Sequence, residues 1–245
     1  MTISILLLYV IIVVFIATLV RSAFGFGESL IAVPLLAFYI PIEVAVPVSV
    51  LVSITIAGVV VIQDWKKIHI QSAGSLFIFT LLGIPLGLLL LVSANEEFVK
   101  IILGIVIIAF STYSLFKRSI ELKSESWLWL FLCGLLAGIL GGAYGLNGPP
   151  LVVYGSMRRW TAQQFRATLQ GYFLPASVIG MIGYWISGLW IPAVTYYYLW
   201  SLPFLLPAIF LGRMINHRLH GDTFFTYVHF GLIAIGVLLL IQSVI

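Results

Sequence analysis

Two long apolar stretches of this chain are interrupted by glycine at matching places. The first interruption begins at Gly25 and leads into residues 26–34, and the second begins at Gly145 and leads into residues 146–154. These two glycines are 145 − 25 = 120 residues apart in a chain of 245 residues. Two halves that each contain one interrupted membrane helix are a recurring plan of secondary transporters, whose substrate sites lie where the interrupted helices meet. The spacing therefore predicts a duplicated membrane protein with a binding site at the two breaks.

Composition places the chain in a membrane. Hydrophobic residues make up 62% of the sequence and charged residues 8%, and the mean hydropathy is +1.19. A helix needs about 20 apolar residues to cross the hydrocarbon core, and the chain carries many such runs. No polar stretch is long enough to form a separate soluble domain. An all-α integral membrane protein is predicted.

Several functional classes are disfavoured by what the sequence lacks. It contains no Ser-His-Asp, HExxH or phosphate-loop pattern, so an enzyme is not expected. No cofactor and no metal site are expected either, because the histidines lack cysteine or carboxylate companions. The formal net charge of +4 is explained by basic loops, and a nucleic-acid partner is not expected.

Ten apolar helical segments are predicted, five in each half. They cover residues 4–21, 29–40, 43–62, 73–93 and 98–116, and then 127–141, 149–157, 163–187, 193–212 and 224–244. The markedly polar residues 117–126 fall between the halves. The predicted division is a first transmembrane repeat over 1–116, a polar linker over 117–126 and a second transmembrane repeat over 127–245.

The positions of lysine and arginine suggest how the halves are oriented, since basic loops favour the cytoplasmic side. Loops 93–97 and 187–192 carry no lysine or arginine. All basic clusters lie inside only if 4–40 and 127–157 are re-entrant hairpins, each followed by three crossings. Three is odd, so the two repeats have inverted topology and both termini lie outside. Segment 4–21 is also long enough to cross completely, and this alternative stays open.

A family resemblance follows from the motifs around the second break. Residues 148–154 (Gly-Pro-Pro-Leu-Val-Val-Tyr) and 165–168 (Phe-Arg-Ala-Thr), together with the first glycine break, resemble the TauE/SafE family of sulfite and organosulfonate exporters. The resemblance covers essentially the whole chain. It implies a multi-pass protein of the prokaryotic inner (plasma) membrane that moves small sulfur-containing anions, as an exporter.

The leading functional hypothesis is therefore a secondary transporter that works by alternating access around the two glycine-broken helices. The alternatives are an anion channel, or a transporter of another small carboxylate or oxyanion. The expected partners are a small anionic substrate and the lipid bilayer, and a homodimer is left open as an assembly.

The breaks themselves supply the first candidates for anion binding. A broken helix offers free backbone N–H groups and the positive end of its dipole, and glycine lets the backbone approach a ligand closely. The residues expected to bind substrate are Gly25, Gly27, Glu28, Ser29 and Ser49 in the first half, and Tyr144, Gly145, Asn147, Gly148, Pro149, Arg166 and Gln170 in the second.

Two charged candidates have competing interpretations. Arg166 lies one helical turn before Gln170, and its guanidinium suits the paired oxygens of a sulfonate; alternatively it extends to the cytoplasmic surface. Three roles are open for the Glu28 carboxyl group. It could form a structural ion pair with Arg21 or Arg166, take up and release a proton, or bind a cation such as Na⁺. Coupling of transport to a proton or cation is therefore assigned to Glu28.

Overall fold

The computed structural model of the protein describes residues 4–64, 68, 70–116, 122, 126–160, 162–218 and 222–244. The regular structure in this part of the chain is entirely α-helical. The helices are α1 (Ile5–Phe24), α2 (Glu28–Leu36), α3 (Ile42–Asp64), α4 (Ile70–Ser93), α5 (Glu96–Phe116), α6 (Trp127–Tyr144), α7 (Gly148–Met157), α8 (Ala162–Ile186), α9 (Pro192–Arg218) and α10 (Asp222–Val244).

These helices confirm the ten predicted apolar segments. Most ends agree closely, and the largest difference is at α9, which continues to Arg218 where the pattern predicted an end at 212. The predicted linker 117–126 lies outside the described residues except for residues 122 and 126.

Six of the described helices, α1, α3, α4, α5, α6 and α9, are long and apolar enough to cross a membrane. With 20 residues and a rise of about 1.5 Å per residue, α1 is about 30 Å long, the thickness of a hydrocarbon core. By contrast, α2 has 9 residues and α7 has 10, so each reaches only about half that distance. The protein is a multi-pass membrane protein with one half-length helix after each break.

Both interrupted segments fold back on themselves as helical hairpins. The Tyr9 hydroxyl, near the start of α1, donates a hydrogen bond of 2.5 Å to the carbonyl of Leu35, near the end of α2. In the second half, the backbone N–H of Leu122, just before α6, donates to the carbonyl of Met157 at the end of α7. Each short helix thus returns toward the level at which its long partner began, and the glycine break forms the tip of the hairpin.

The two halves pack according to one pattern. Helix α4 packs on α6 just as α1 packs on α9, and α4 contacts α8 just as α9 contacts α3. The pairs α3 with α8 and α5 with α10 each join equivalent helices. When α1–α5 are matched in order with α6–α10, each of these contacts either has an equivalent in the set or joins two equivalent helices.

Glycine allows α4 and α6 to approach each other at backbone distance. A methyl group added at Gly83 in α4 would overlap the carbonyl oxygen of Leu135, and one added at Gly138 in α6 would overlap that of Thr80. The Thr80 hydroxyl, in turn, donates a 2.9 Å hydrogen bond to the carbonyl of Gly134. Small residues at helix contacts are a main source of association inside membranes, so this interface fixes the position of the second hairpin.

Substituting Gly83 by alanine is expected to lower the free energy of unfolding by about 1–3 kcal/mol, because the added methyl overpacks a backbone contact. The measurement is the thermal unfolding of purified protein in detergent. Gly74→Ala, in the same helix, is the matched control, because nothing lies within 4 Å of a methyl group at that position. Equal stability of the two variants would contradict the assigned role of the interface.

Candidate functional site

The first break is a short turn that two glycines make possible. Gly25 has φ 86° and Gly27 has φ 97°. Both angles lie in the left-handed region, which is unfavourable for residues that have a Cβ atom. Arg21 lies in the last turn of α1 and Glu28 in the first turn of α2. A cation near a helix C-terminus and an anion at a helix N-terminus are each stabilised by the helix dipole, so the turn brings two favourably placed opposite charges together.

The second break has the same form without the charges. Gly145 has φ 67° and its N–H donates to the carbonyl of Gly141 at 2.9 Å. Helix α7 then opens with Gly148, Pro149 and Pro150. Proline has no N–H and favours the first turn, so this helix start leaves few unsatisfied donors in the membrane.

The tips of the two hairpins meet. A methyl group built on Gly145 would lie 3.5 Å from the Ser29 hydroxyl, and one on Gly148 would lie 3.8 Å from Phe26. A small cavity of about 20 Å³, large enough for about one water molecule, lies between the tips. Its lining residues are Arg21, Phe26, Gly27, Glu28, Ser29, Leu30, Ser53, Gly145, Leu146, Gly148, Pro149 and Phe173.

A buried ion pair forms one wall of this cavity. Arg21 Nη1 lies 3.2 Å from Glu28 Oε2, and the two side chains are 3% and 1% exposed. The guanidinium also donates from Nη1 to Ser53 Oγ at 2.5 Å and from Nη2 to Gln170 Oε1 at 2.9 Å, and it lies 4.8 Å from the centre of the Phe173 ring. Of the two arginines considered as partners of Glu28, Arg21 forms the pair.

Hydroxyl groups complete the surroundings of the carboxylate. Ser49 donates to Glu28 Oε1 at 2.6 Å, and Ser29 donates to Oε2 at 3.1 Å. The two serine oxygens are themselves 3.0 Å apart. Each oxygen of the buried carboxylate therefore has a donor, which offsets part of the cost of burying the charge.

Gln170 connects α8 to the first break. Its side-chain amide donates to the carbonyl of Gly25 at 2.6 Å while its oxygen accepts from Arg21. Sequence reasoning did not single out Phe173 or Ser177, although positions 170, 173 and 177 share one face of a helix. Ser177 lies 3.2 Å from Ser53. The signal that could have found them is this spacing from Gln170.

The hydrogen bonds of Arg21 use three of its five N–H groups. Its Nε is buried and has no hydrogen-bond partner among the described residues. A buried donor without a partner is costly, and more so when it is charged. Helix α2 has no side-chain hydrogen bond to cap its N-terminus, and this helix start lines the cavity. The arrangement therefore offers unused donors to an anion.

Two of the predicted residues lie elsewhere. The Tyr144 hydroxyl donates to the carbonyl of Val99 in α5 at 3.0 Å, and the Asn147 amide donates to the carbonyl of Ala137 within its own hairpin at 3.3 Å. Neither lines the cavity.

Gly25, Ser49 and Gln170 are not among the lining residues either, although Ser49 and Gln170 bind the ion pair and Gln170 donates to Gly25. The backbone of Arg166 belongs to α8, but its side chain lies outside the described part of the structure. In that part no group of three His, Cys, Asp or Glu could hold a metal ion.

The two halves contribute differently to the site. The positions 120 residues after Arg21 and Glu28 are 21 + 120 = 141 and 28 + 120 = 148, and both are glycine. Among the described residues, the first half thus supplies the charged side chains of the cavity, whereas the second half supplies glycine and proline backbone and the Phe173 ring. An anion between the tips would contact both halves.

Glu28→Gln is expected to lower the free energy of unfolding by about 3–5 kcal/mol, because it leaves a buried guanidinium uncompensated. The double variant Arg21→Met/Glu28→Gln removes both charges and should recover most of the loss. Thermal unfolding in detergent, in a buffer without small oxyanions, measures both. A double variant less stable than Glu28→Gln would show that the pair is not the main reason for the loss.

Comparison with known proteins agrees with this description. No match was found among curated proteins or among solved structures. A model of one family, described as sulfite exporter TauE/SafE, matches residues 10–239, nearly the whole chain and both hairpins. The match confirms the resemblance seen in residues 148–154 and 165–168. The chain belongs to the sulfite exporter TauE/SafE family.

Proposed function

We propose that this protein is a secondary transporter that exports a small sulfur-containing anion, sulfite or an organosulfonate, through the cavity between the hairpin tips. The observation that carries the proposal is the buried Arg21, with an unpartnered Nε, in a cavity that the uncapped N-terminus of α2 also lines. The family supports the substrate class, and the cavity supports an anion.

The donors around the cavity suit an oxyanion. A guanidinium binds paired oxygens through two parallel N–H groups, and the first turn of α2 adds backbone N–H groups and its dipole. Phe26, Phe173 and Pro149 form apolar parts of the wall, and low local polarity strengthens each electrostatic contact. Gln170 and Ser53 act by positioning Arg21. Arg166 stays a proposed second contact on the face of α8 that carries Gln170.

Alternating access would move the two hairpins against each other. The matched packing of the halves supports two repeats over 1–116 and 127–245, joined by the linker 117–126. Three long helices, α3 to α5, separate the hairpins, which supports an inverted arrangement with re-entrant hairpins and both termini outside. The basic clusters at 66–67, 117–123, 158–159 and 213–218 would then all lie on the cytoplasmic side of a prokaryotic inner membrane.

Transport in proteoliposomes tests the proposal. Wild-type protein should give saturable flux of radiolabelled sulfite or methanesulfonate. Arg21→Gln should reduce that flux about 10- to 100-fold, because a hydrogen bond to a charged group contributes about 1.5–3 kcal/mol. Arg213→Gln is the matched control, since Arg213 is bound to Gln63 on an exposed part of the protein and should transport normally.

The outcomes separate the alternatives. Flux that does not saturate and gives voltage-driven current would indicate an anion channel. Saturable flux of a carboxylate, with none of sulfite or methanesulfonate, would place the protein among transporters of other small anions. Absence of flux of every anion, from folded wild-type protein, would contradict transport. Arg166→Ala tests the proposed second contact in the same assay.

A further inference from the structure

We infer that the ring of Phe26, at the tip of the first hairpin, is the gate that closes the cavity toward the membrane face at which α5 ends and α8 begins, and that Leu146 closes it toward the opposite face. The inference rests on the proposed function, since it concerns how an anion reaches Arg21. It adds the route of access and the two side chains that control it.

The cavity as it stands is closed to substrate. Its volume of about 20 Å³ holds about one water molecule, whereas sulfite and the organosulfonates each have several non-hydrogen atoms. Arg21 and Glu28, which line the cavity, are 3% and 1% exposed. An anion therefore binds between the tips only after a side chain of the cavity wall has moved and opened a path.

Phe26 forms the thinnest part of the described wall. Its side chain is half-buried, whereas the other large apolar residues that line the cavity, Leu30, Leu146 and Phe173, are 5% exposed or less. Phe26 also lies on the short turn between α1 and α2, and nothing lies within 4 Å of a methyl group built on the neighbouring Gly27. Short segments between helices are where the backbone changes its angles during closure and opening, so this turn can carry the ring away from the cavity.

Apolar contacts hold the ring in its closed position. Its centre lies 6.4 Å from that of Phe110 in α5 and 6.1 Å from that of Phe165 in α8, both edge to face, which is a favourable arrangement of aromatic rings. On the second tip, a methyl group built on Gly148 would lie 3.8 Å from Phe26. The ring can leave these contacts without stranding a buried charge or hydrogen-bonding group, a cost that any movement of Arg21 would carry.

The contacts along α8 show on which side of the site the ring lies. Arg21 donates to Gln170 and lies over the ring of Phe173, whereas Phe26 contacts Phe165. Phe165 is 170 − 165 = 5 residues nearer than Gln170 to the start of α8, which corresponds to about 7.5 Å along the helix. Phe26 therefore lies between Arg21 and the membrane face at which α8 begins.

Helix α5 gives the same direction. Phe110, which Phe26 contacts, is 116 − 110 = 6 residues from the end of α5, or about 9 Å. At the second tip, Tyr144 binds the carbonyl of Val99, which is 99 − 96 = 3 residues from the start of α5. The two tips thus contact α5 near opposite ends, and Phe26 is on the side that we propose to be cytoplasmic.

The second tip has an equivalent residue. The position 26 + 120 = 146 is a leucine, which lines the same cavity and is 2% exposed. It follows closely after Tyr144, whose hydroxyl reaches toward the start of α5. In an inverted arrangement, equivalent residues of the two repeats lie on opposite sides of the site. Leu146 therefore closes the cavity toward the outer face, as Phe26 does toward the cytoplasmic face.

The experiment measures from which side a reagent reaches the cavity. Ser29→Cys places a thiol on the cavity wall, in a Cys133→Ala background that removes the native cysteine. The reagent is 2-sulfonatoethyl methanethiosulfonate, an organosulfonate that is too polar to cross a bilayer. It is added to membrane vesicles of each orientation, and the rate of labelling is measured.

Reference thiols on α3 identify the two sides. Gln63→Cys reports the end of α3 and Glu43→Cys reports its start, and both positions are exposed. The starts of α3 and α5 lie together, because the N–H of Ile42 donates to Glu96 Oε1 at 3.2 Å. The Gln63 side is therefore the side on which α5 ends.

With both gates intact, the thiol at position 29 should react slowly from either side. Phe26→Ala should speed the reaction about 10- to 100-fold from the Gln63 side only, because two ring contacts that hold the gate are lost. Leu146→Ala should speed it from the Glu43 side only. Phe24→Ala is the matched control: it removes an equal ring beside the same break, from a residue that does not line the cavity, and should leave both rates unchanged.

The sidedness of labelling separates a gate from a merely structural residue. Phe26→Ala that reacts faster from the Glu43 side, from both sides or from neither would overturn the inference. Phe26→Leu, a smaller change, gives the same test if Phe26→Ala has a lower unfolding temperature than Phe24→Ala. Faster labelling of Leu146→Ala from the Gln63 side would overturn the assignment of Leu146.

Transport distinguishes failure of the gates from failure of the proposed function. In proteoliposomes that carry native Ser29, the double variant Phe26→Ala/Leu146→Ala should pass methanesulfonate without saturation, because neither side is closed. Each single variant keeps one gate and should not. Saturable sulfite flux by wild type, together with unchanged labelling in Phe26→Ala, would overturn the gate and leave the proposed function standing. Absence of flux of every anion from folded wild type would contradict the proposed function, whatever the labelling shows.

Discussion

The buried contact between Arg21 and Glu28 organises the centre of this protein. An arginine cannot lose its proton in a protein, so inside a membrane its charge must be compensated where it stands. Here the compensation comes from α2, and two further N–H groups of the guanidinium are directed to α3 and α8. One charge therefore ties together the two arms of the first hairpin, a long helix of the first half and a long helix of the second.

The scaffold around this contact joins the halves crosswise. The first hairpin packs through α1 against α9 of the second half, and the second hairpin packs through α6 against α4 of the first. Both interfaces are close: a methyl group at Gly212 in α9 would lie 2.6 Å from the carbonyl oxygen of Leu19. Each hairpin is thus held against a long helix of the other half.

Although the halves pack alike, they divide the chemistry of the cavity between them. Charge comes from the first half, while the second contributes glycine and proline backbone with few unsatisfied N–H groups. The Tyr184 hydroxyl lies 2.9 and 2.8 Å from the carbonyl oxygens of Gly141 and Gly142, so the end of α6 is satisfied without a charge. Among the described residues that line the cavity, the charged side chains are therefore one cation and one carboxylate, Arg21 and Glu28.

The sequence by itself determined the helices, the two breaks and the family. Those features are local: apolar length decides which segments lie in the membrane, and glycine permits the positive φ angles at positions 25, 27 and 145. Only the tertiary structure decided which side chains share the cavity. Arg21 meets Gln170 across 149 positions of the chain, while Tyr144, beside the second break, turns to Val99. The direction of a side chain depends on how its helix is rotated against its neighbours, and that rotation is set by packing over the whole molecule.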